Sequence, residues 1–196
     1  MNEAAAAIRA GLPVVLPTDT VYGLACAADP AAPTERLYAL KGRDAQQPSA
    51  LLAPDVDALV AAVPELGESA VVRALLPGPY TLVVPNPARR YPWITGASPA
   101  SVGVRVPDLP TASAEVLAEV GCVVATSANL PGGPDPARVE EIPPELREHV
   151  GAIVDVGPLP GTPSTVVDLT GAVPRILREG AVPAATALDL IASALT

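Results

Sequence analysis

The sequence predicts an α/β fold in which helices pack on a twisted, mixed sheet. Short runs rich in Val, Leu and Ile alternate with Ala-rich segments along the 196 residues, which is the pattern of layered α/β domains. Hydrophobic residues make up 49% of the chain, so a core can form without Phe. The connections vary too much in length for a regular parallel barrel. We expect one domain over residues 1–196, because no linker divides the chain.

Eight short runs predict the strands. Most are rich in β-branched residues and are bounded by Pro, Gly or Ser, as strands usually are. The predicted strands are residues 13–17, 49–53, 80–85, 102–106, 122–126, 152–156, 164–169 and 174–178. A tight hairpin between the last two would bring Arg178 near Ser164.

Eight further segments predict the helices. The predicted helices are residues 3–10, 19–27, 33–41, 55–62, 68–76, 111–120, 143–149 and 184–194. Thr34, Asp55 and Thr111 precede or open three of them and are candidate N-caps. Asp19 or Thr20 would cap the second helix, whose N-terminus would offer free N–H groups.

The net charge of −9 argues against a broad electrostatic footprint for nucleic acid, although it is compatible with a small pocket for an anion. The N-terminus lacks the pattern of a signal peptide, and no window reaches the roughly 18 apolar residues of a membrane span. We therefore expect a cytoplasmic protein without membrane contact. Cys26 and Cys122 lie in apolar stretches, which favours buried free thiols over a disulfide.

Several classes of site are disfavoured by what the sequence lacks. The single histidine, His149, lies in a charged segment, and no Cys pairs have ligand spacing, so we expect no structural metal site. Walker-type phosphate loops, GxGxxG and GxSxG are absent. An enzyme with this sequence would therefore work by positioning and electrostatics.

Polar segments follow several predicted strands and carry most of the chemistry. They contain hydroxyls, an amide, Lys41 and three arginines, Arg43, Arg105 and Arg178. Because ligands of open α/β sheets bind outside strand ends, these segments predict a cleft for a polyanion such as a nucleoside triphosphate.

Lys41 is the only lysine among twelve cationic residues. Its compact charge is not interchangeable with the planar fork of arginine. Two interpretations are open. Lys41 is either an exposed lysine favourably placed at a helix C-terminus, or, with Arg43, half of a phosphate clamp.

Seven ordered motifs resemble those of the YrdC-like family. They are PTDTVYGL at 17–24, KGR at 41–43, PGPYT at 77–81, VGVRVP at 102–107, SAN at 127–129, STVVD at 164–168 and REG at 178–180. The resemblance runs from about residue 5 to residue 185. It implies a twisted α/β sheet around one large, positive cavity. It also implies the short form of the family without a second C-terminal domain.

The resemblance implies an L-threonylcarbamoyladenylate synthase, which is a nucleotidyltransferase. Such enzymes join L-threonine, bicarbonate and ATP and release pyrophosphate, with Mg²⁺ expected on the triphosphate. The product supplies threonylcarbamoyl for an adenosine of ANN-reading tRNAs, through partner proteins that carry out the transfer. Little direct binding of nucleic acid by this chain is expected.

The resemblance also implies roles for individual residues. Lys41 and Arg43 would be the catalytic pair and would hold the triphosphate. The L-threonine site would comprise Thr20, Arg105, Ala125 and Ser164. The remaining ATP contacts would be Gln47, Thr81, Ser127, Asn129, Asp135 and Arg178.

The chain departs from the family pattern around the clamp. Asp44 follows KGR where Pro is frequent, and Gln47 stands in for a shorter amide. Thr126 replaces Pro before SAN, and Pro163 precedes STVVD where Glu is frequent. The core cations are retained.

Two other functions stay open. One is an RNA-binding module of the same fold, which the acidic charge and the five aromatic residues disfavour. The other is a related enzyme that forms a different carbamoyl or acyl adenylate, such as a carbamoyltransferase domain.

Overall fold

The computed structural model describes residues 2–67 and 69–196, and an eight-stranded mixed sheet lies at the centre of this part of the chain. The strand order is β1-β2-β6-β3-β5-β4-β7-β8, with β3–β5 and β4–β7 parallel and the other pairs antiparallel. The strands are β1 (Val14–Pro17), β2 (Tyr22–Ala27), β3 (Ala50–Leu52), β4 (Tyr80–Pro85), β5 (Ser101–Arg105), β6 (Val123–Ser127), β7 (Thr165–Asp168) and β8 (Arg175–Arg178).

Helices cover the sheet and confirm the predicted α/β class. The helices are α1 (Glu3–Arg9), α2 (Ala31–Lys41), α3 (Val56–Ala62), α4 (Ala70–Leu75), α5 (Thr111–Val120), α6 (Pro144–Arg147) and α7 (Ala184–Ala194). The predicted start of the fourth helix, residue 68, lies outside the described residues. No helix in the described ranges is both long enough and apolar enough to cross a bilayer.

The two faces of the sheet differ because side chains alternate along each strand. One face carries large apolar residues such as Leu51, Leu82 and Val104, and packs with α2, α3, α4 and α7 into the larger core. On the other face, α1 and α5 cover the β1–β2 end and reach Leu52 of β3 and Val123 of β6. Small residues such as Ala50 and Gly103 occupy the uncovered part of that face, so a hollow remains there.

The prediction of a helix over 19–27 is wrong. Residues Tyr22–Ala27 form β2, which lies between β1 and β6 and has neighbours on both edges. Every residue from Tyr22 to Cys26 is buried, so the run is apolar on both faces. The hydrophobic period of such a run does not distinguish a buried strand from a buried helix. Asp19 and Thr20 consequently cap no helix.

Three smaller predictions are also corrected. Thr34 is inside α2, which begins at Ala31, and its hydroxyl lies 3.9 Å from the Cys26 sulfur. Thr111 opens α5 without making a side-chain cap. Within 152–156 only Ile153 pairs with the sheet, through a single bridge to Val15, because the backbone hydrogen bonds to β1 are limited to the two that Val15 makes with Ala152 and Val154.

The candidate cap Asp55 is confirmed, since its carboxylate accepts the Ala58 N–H at 2.7 Å. Replacing it with alanine leaves that donor without its partner, and we expect Asp55→Ala to lower the free energy of unfolding by about 1 kcal/mol. The matched control is Asp57→Ala, in the first turn of the same helix, for which we expect a loss of about 0.3 kcal/mol. Urea unfolding measures both, and equal losses would contradict the capping role.

Candidate active site

A cavity of about 810 Å³ occupies the uncovered half of the sheet face. Its floor is formed by small residues, including Gly23, Ala50, Gly103 and Ala125. Larger side chains at these positions would fill the cavity. Its walls carry the polar residues that follow the strands. Four arginines line it, Arg43, Arg105, Arg175 and Arg178, so a chain of net charge −9 concentrates positive charge there.

Arg105, the last residue of β5, is fixed at one end of the cavity. Its Nη2 donates to Asp19 Oδ1 at 2.5 Å and to Thr20 Oγ1 at 2.7 Å. The side chain is only 11% exposed, and burial lowers the pKa of its guanidinium. Its buried Nε has no hydrogen-bond partner among the residues that the structure describes. Its Nη1 also makes no hydrogen bond to the described residues and, unlike the Nε, is not sealed from the cavity, so Arg105 keeps a free donor for a carboxylate.

Lys41, the last residue of α2, lies behind the cavity wall. The residue is 2% exposed, and its Nζ donates to Ser127 O at 2.5 Å and to Asn129 Oδ1 at 2.7 Å. Ser127 Oγ donates to the same amide oxygen at 2.7 Å. Burial, followed by repulsion from Arg43, lowers the pKa of Lys41 to about 8. The interpretation of Lys41 as an exposed helix-end lysine is therefore wrong.

Arg43 reaches the cavity from the turn after α2. Its Nη2 donates to Pro48 O at 2.5 Å, and its guanidinium lies 5.8 Å from the centre of the Tyr38 ring. Gln47 is exposed, and its backbone carbonyl, 3.4 Å from Arg43 Nε, is the part of it that contacts Arg43. The turn therefore presents an arginine to the cavity and leaves the Gln47 amide outside it.

The predicted hairpin of β7 and β8 does bring Arg178 to Ser164. Arg178 Nη2 donates to Ser164 O at 2.8 Å and lies 3.2 Å from Ser164 Oγ. Ser164 Oγ in turn lies 2.8 Å from Thr81 Oγ1 on β4. A cation and two hydroxyls are thus held together on the wall between β4 and β8.

Asp135 joins the cavity through the loop after β6. Asn129 Nδ2 donates to Gly133 O at 2.6 Å and to Asp135 Oδ1 at 3.3 Å. Asn129 therefore ties the lysine behind the wall to the carboxylate in front of it.

Most of the predicted site residues lie around one cavity. Those that line it are Arg43, Thr81, Arg105, Ala125, Ser127, Asp135, Ser164 and Arg178. Among the described residues, those that support the walls or lie outside them instead are Thr20, Lys41, Gln47 and Asn129.

The site predictions missed Asp19, Asp168 and Arg175. Asp168 accepts hydrogen bonds from Thr170 and from Arg175, and the Thr170 hydroxyl is the main reason that the pKa of this carboxyl is lowered. The predicted hairpin could have indicated this pair, because Asp168 and Arg175 flank its turn. Asp19 had no such signal, since Arg105 is 86 residues away in sequence.

Known proteins with similar sequences or folds cover most of the chain. Residues 6–180 match the Sua5/YciO/YrdC family model, described as "Telomere recombination". A putative threonylcarbamoyl-AMP synthase of Mycobacterium tuberculosis is 39% identical over 184 residues, 92% of this chain and 83% of that protein. The threonylcarbamoyl-AMP synthase of Bacillus subtilis is 34% identical over 92% of this chain and 53% of that protein.

Among solved structures, that of P. abyssi Sua5 complexed with L-threonine matches with a TM-score of 0.84 and 32% identity. The match covers 96% of this chain and 56% of that chain. This chain therefore spans about half the length of the P. abyssi and B. subtilis relatives.

Proposed function

Because the chain belongs to the Sua5/YciO/YrdC family, we propose that it is a threonylcarbamoyl-AMP synthase acting on L-threonine, bicarbonate and ATP. The observation that carries the proposal is the convergence of Arg43, Arg105 and Arg178 on one cavity of an acidic chain. Such a cavity suits two anionic substrates bound side by side. The single sheet from Val14 to Arg178 supports the proposal that residues 1–196 act as one domain.

The L-threonine site would lie around Arg105. Its unpaired Nη1 would donate to the substrate carboxylate, while Asp19 and Thr20 hold the guanidinium in place through Nη2. Thr20 would thus act through Arg105. Ala125 and Ser164, which line the same cavity, would contact the rest of the amino acid.

The ATP site would occupy the rest of the cavity, next to the threonine site. Arg43 and Arg178 would hold the phosphates, and Thr81, Ser127 and Asp135 would add polar contacts. Lys41 and Asn129 would fix the 127–129 loop from behind the cavity wall. The positive charge of Lys41 would act on the phosphates from behind that loop.

The residues present fit a Mg²⁺ ion that is held mainly by the substrate. Mg²⁺ is usually bound by one or two carboxylates together with substrate phosphates. Asp135 lines the cavity and could supply one carboxylate, whereas both oxygens of Asp168 already accept hydrogen bonds. When bound, the ion would offset the charge of the pyrophosphate leaving group.

The proposed reaction is a nucleotidyl transfer. Threonine's amine and bicarbonate give a carbamate and water, and a carbamate oxygen then forms a bond to the α-phosphorus of ATP. The bond between the α-phosphorus and the oxygen that bridges it to the β-phosphorus breaks, and pyrophosphate leaves with the electron pair. The arginines would stabilise the growing negative charge and hold the two anions in line, which is how phosphoryl-group transfer is usually catalysed.

We further propose that partner proteins transfer the threonylcarbamoyl group to tRNA. The net charge of −9 supports weak binding of tRNA by this chain alone.

The proposed function is tested by pyrophosphate release. The purified protein should release pyrophosphate from ATP only when L-threonine and bicarbonate are both present, with serine as the best substitute for threonine. A pocket that packs the threonine methyl group should prefer threonine by roughly 1–3 kcal/mol. Equal release without threonine would contradict the proposal, and turnover of a different acceptor would favour a related adenylate-forming enzyme.

A further inference from the structure

Thr165 fastens the turn that follows Arg178. It is fully buried at the start of β7, next to the cavity residue Ser164. Its hydroxyl donates to Val182 O at 2.6 Å and accepts the N–H groups of Gly180 and Val182, each at 3.1 Å. One threonine hydroxyl thereby satisfies three backbone groups of the 180–182 turn.

The same turn is also held by close backbone contact. The Ala181 N–H donates to Pro163 O at 2.8 Å. A Cβ on Gly180 would clash with the Pro163 carbonyl oxygen and the Ser164 backbone, so only glycine allows this approach. The chain after β8 is therefore pressed against residues 163–165 and cannot shift independently of them.

The contacts that hold the 180–182 turn also restrict the orientation of the Arg178 side chain. Arg178 is an exposed residue, and the hydrogen bonds of its side chain to the described residues all go to Ser164, the neighbour of Thr165. A long exposed side chain would otherwise sample many rotamers, at a cost in entropy when it binds a ligand. Anchoring the turn two residues after Arg178 lowers that cost before ATP arrives.

We propose that Thr165 is a positioning residue for ATP, which acts by fixing the 180–182 turn and thereby Arg178. This inference rests on the proposed function for the identity of the ligand. The predicted effect on Arg178 is independent of the proposed function, because it can be measured in the protein without substrates.

The experiment compares Thr165→Val, which keeps the shape but loses the hydroxyl, with Thr165→Ser, which keeps the hydroxyl. The control is Thr34→Val, since Thr34 is equally buried but lies in α2 away from the cavity. All variants are assayed well below their melting temperatures. Should Thr165→Val not fold, Thr165→Ala removes the same hydroxyl and is scored on the same readouts.

The first readout is the solvent exchange of the Arg178 Nε–H, followed by ¹⁵N NMR and assigned with Arg178→Lys. The Arg178 Nε–H of Thr165→Val should exchange about tenfold faster than that of wild type, which is the effect of losing the free energy of about one hydrogen bond. Thr165→Ser and Thr34→Val should match wild type. Unchanged exchange in Thr165→Val would overturn the inference, whatever the activity of the wild type.

The second readout is the KM for ATP in the pyrophosphate assay. We expect Thr165→Val to raise it about tenfold, with kcat reduced by less, and Thr165→Ser to restore it. A lower melting temperature with an unchanged KM would reduce Thr165 to a structural residue and overturn the inference. Inactive wild type would instead refute the proposed function, and the exchange measurement would still decide the role of Thr165.

Discussion

Lys41→Ala should lower threonine-dependent pyrophosphate release by about 100-fold, the scale expected when a residue away from the chemistry no longer holds a binding loop within about 1 Å of its working position. Lys41 Nζ donates to Ser127 O and Asn129 Oδ1, and both acceptors lose that partner in the variant. The 127–129 loop would then loosen, and the site would lose a positive charge. The protein should still fold, because removal of the lysine also removes a buried charge.

Two further substitutions separate shape from charge. Lys41→Met keeps the length of the side chain but not the charge, and it should be as inactive as Lys41→Ala. Lys41→Arg should recover only part of the activity, because a planar fork does not fit a slot built for one compact ammonium group. Arg36→Ala, on the exposed side of α2, is the matched control and should keep full turnover. Full turnover of Lys41→Ala would make Lys41 a bystander.

The pKa of Lys41 adds a dependence on pH. Burial lowers this pKa from 10.5 to about 8, so the folded protein releases the proton first as pH rises. Between about pH 8 and 10.5 the unfolded chain binds more protons, and stability relative to Lys41→Met should therefore rise with pH. Activity should fall over the same interval, because the site loses the charge. Parallel pH profiles for wild type and Lys41→Met would contradict this.

Arg105→Gln should lower kcat/KM for threonine by about 100-fold to 1,000-fold, the range for loss of one preorganised donor to a charged group. Arg105 lines the cavity with an unpaired Nη1, and among the described residues it is the cation that forms an ion pair with Asp19. Glutamine cannot supply the charge or the fork. The KM for threonine should rise more than that for ATP.

A complication of Arg105→Gln is the buried partner that it leaves behind. The Asp19 side chain is 10% exposed, so an unpaired Asp19 should cost about 3–5 kcal/mol of stability. The double variant with Asp19→Asn removes that buried charge and should regain stability without regaining threonine turnover. If the double variant regained turnover, Arg105 would be structural.

Local sequence features explain which elements were predictable. Asp55 caps α3 as expected, and the β7–β8 hairpin brings Arg178 to Ser164 as expected, because both depend on neighbours in sequence. The segment Tyr22–Ala27 was misassigned, because its strand state depends on pairing with β1 and β6.

The same distinction holds for the site. Motif positions identified residues that share one cavity, such as Arg43, Arg105 and Ser164. They did not indicate that Lys41 is buried behind the wall, because its partners, Ser127 and Asn129, are more than 80 residues away. The pair of Arg105 with Asp19 was hidden for the same reason.

The most direct test of the proposed synthase follows labelled bicarbonate. The protein is incubated with ATP, L-threonine and ¹⁴C-bicarbonate, and the nucleotide products are separated and identified by mass. We predict one equivalent of label, together with threonine, in an AMP-containing product for each pyrophosphate released. Pyrophosphate release with no label in the nucleotide fraction would contradict the account.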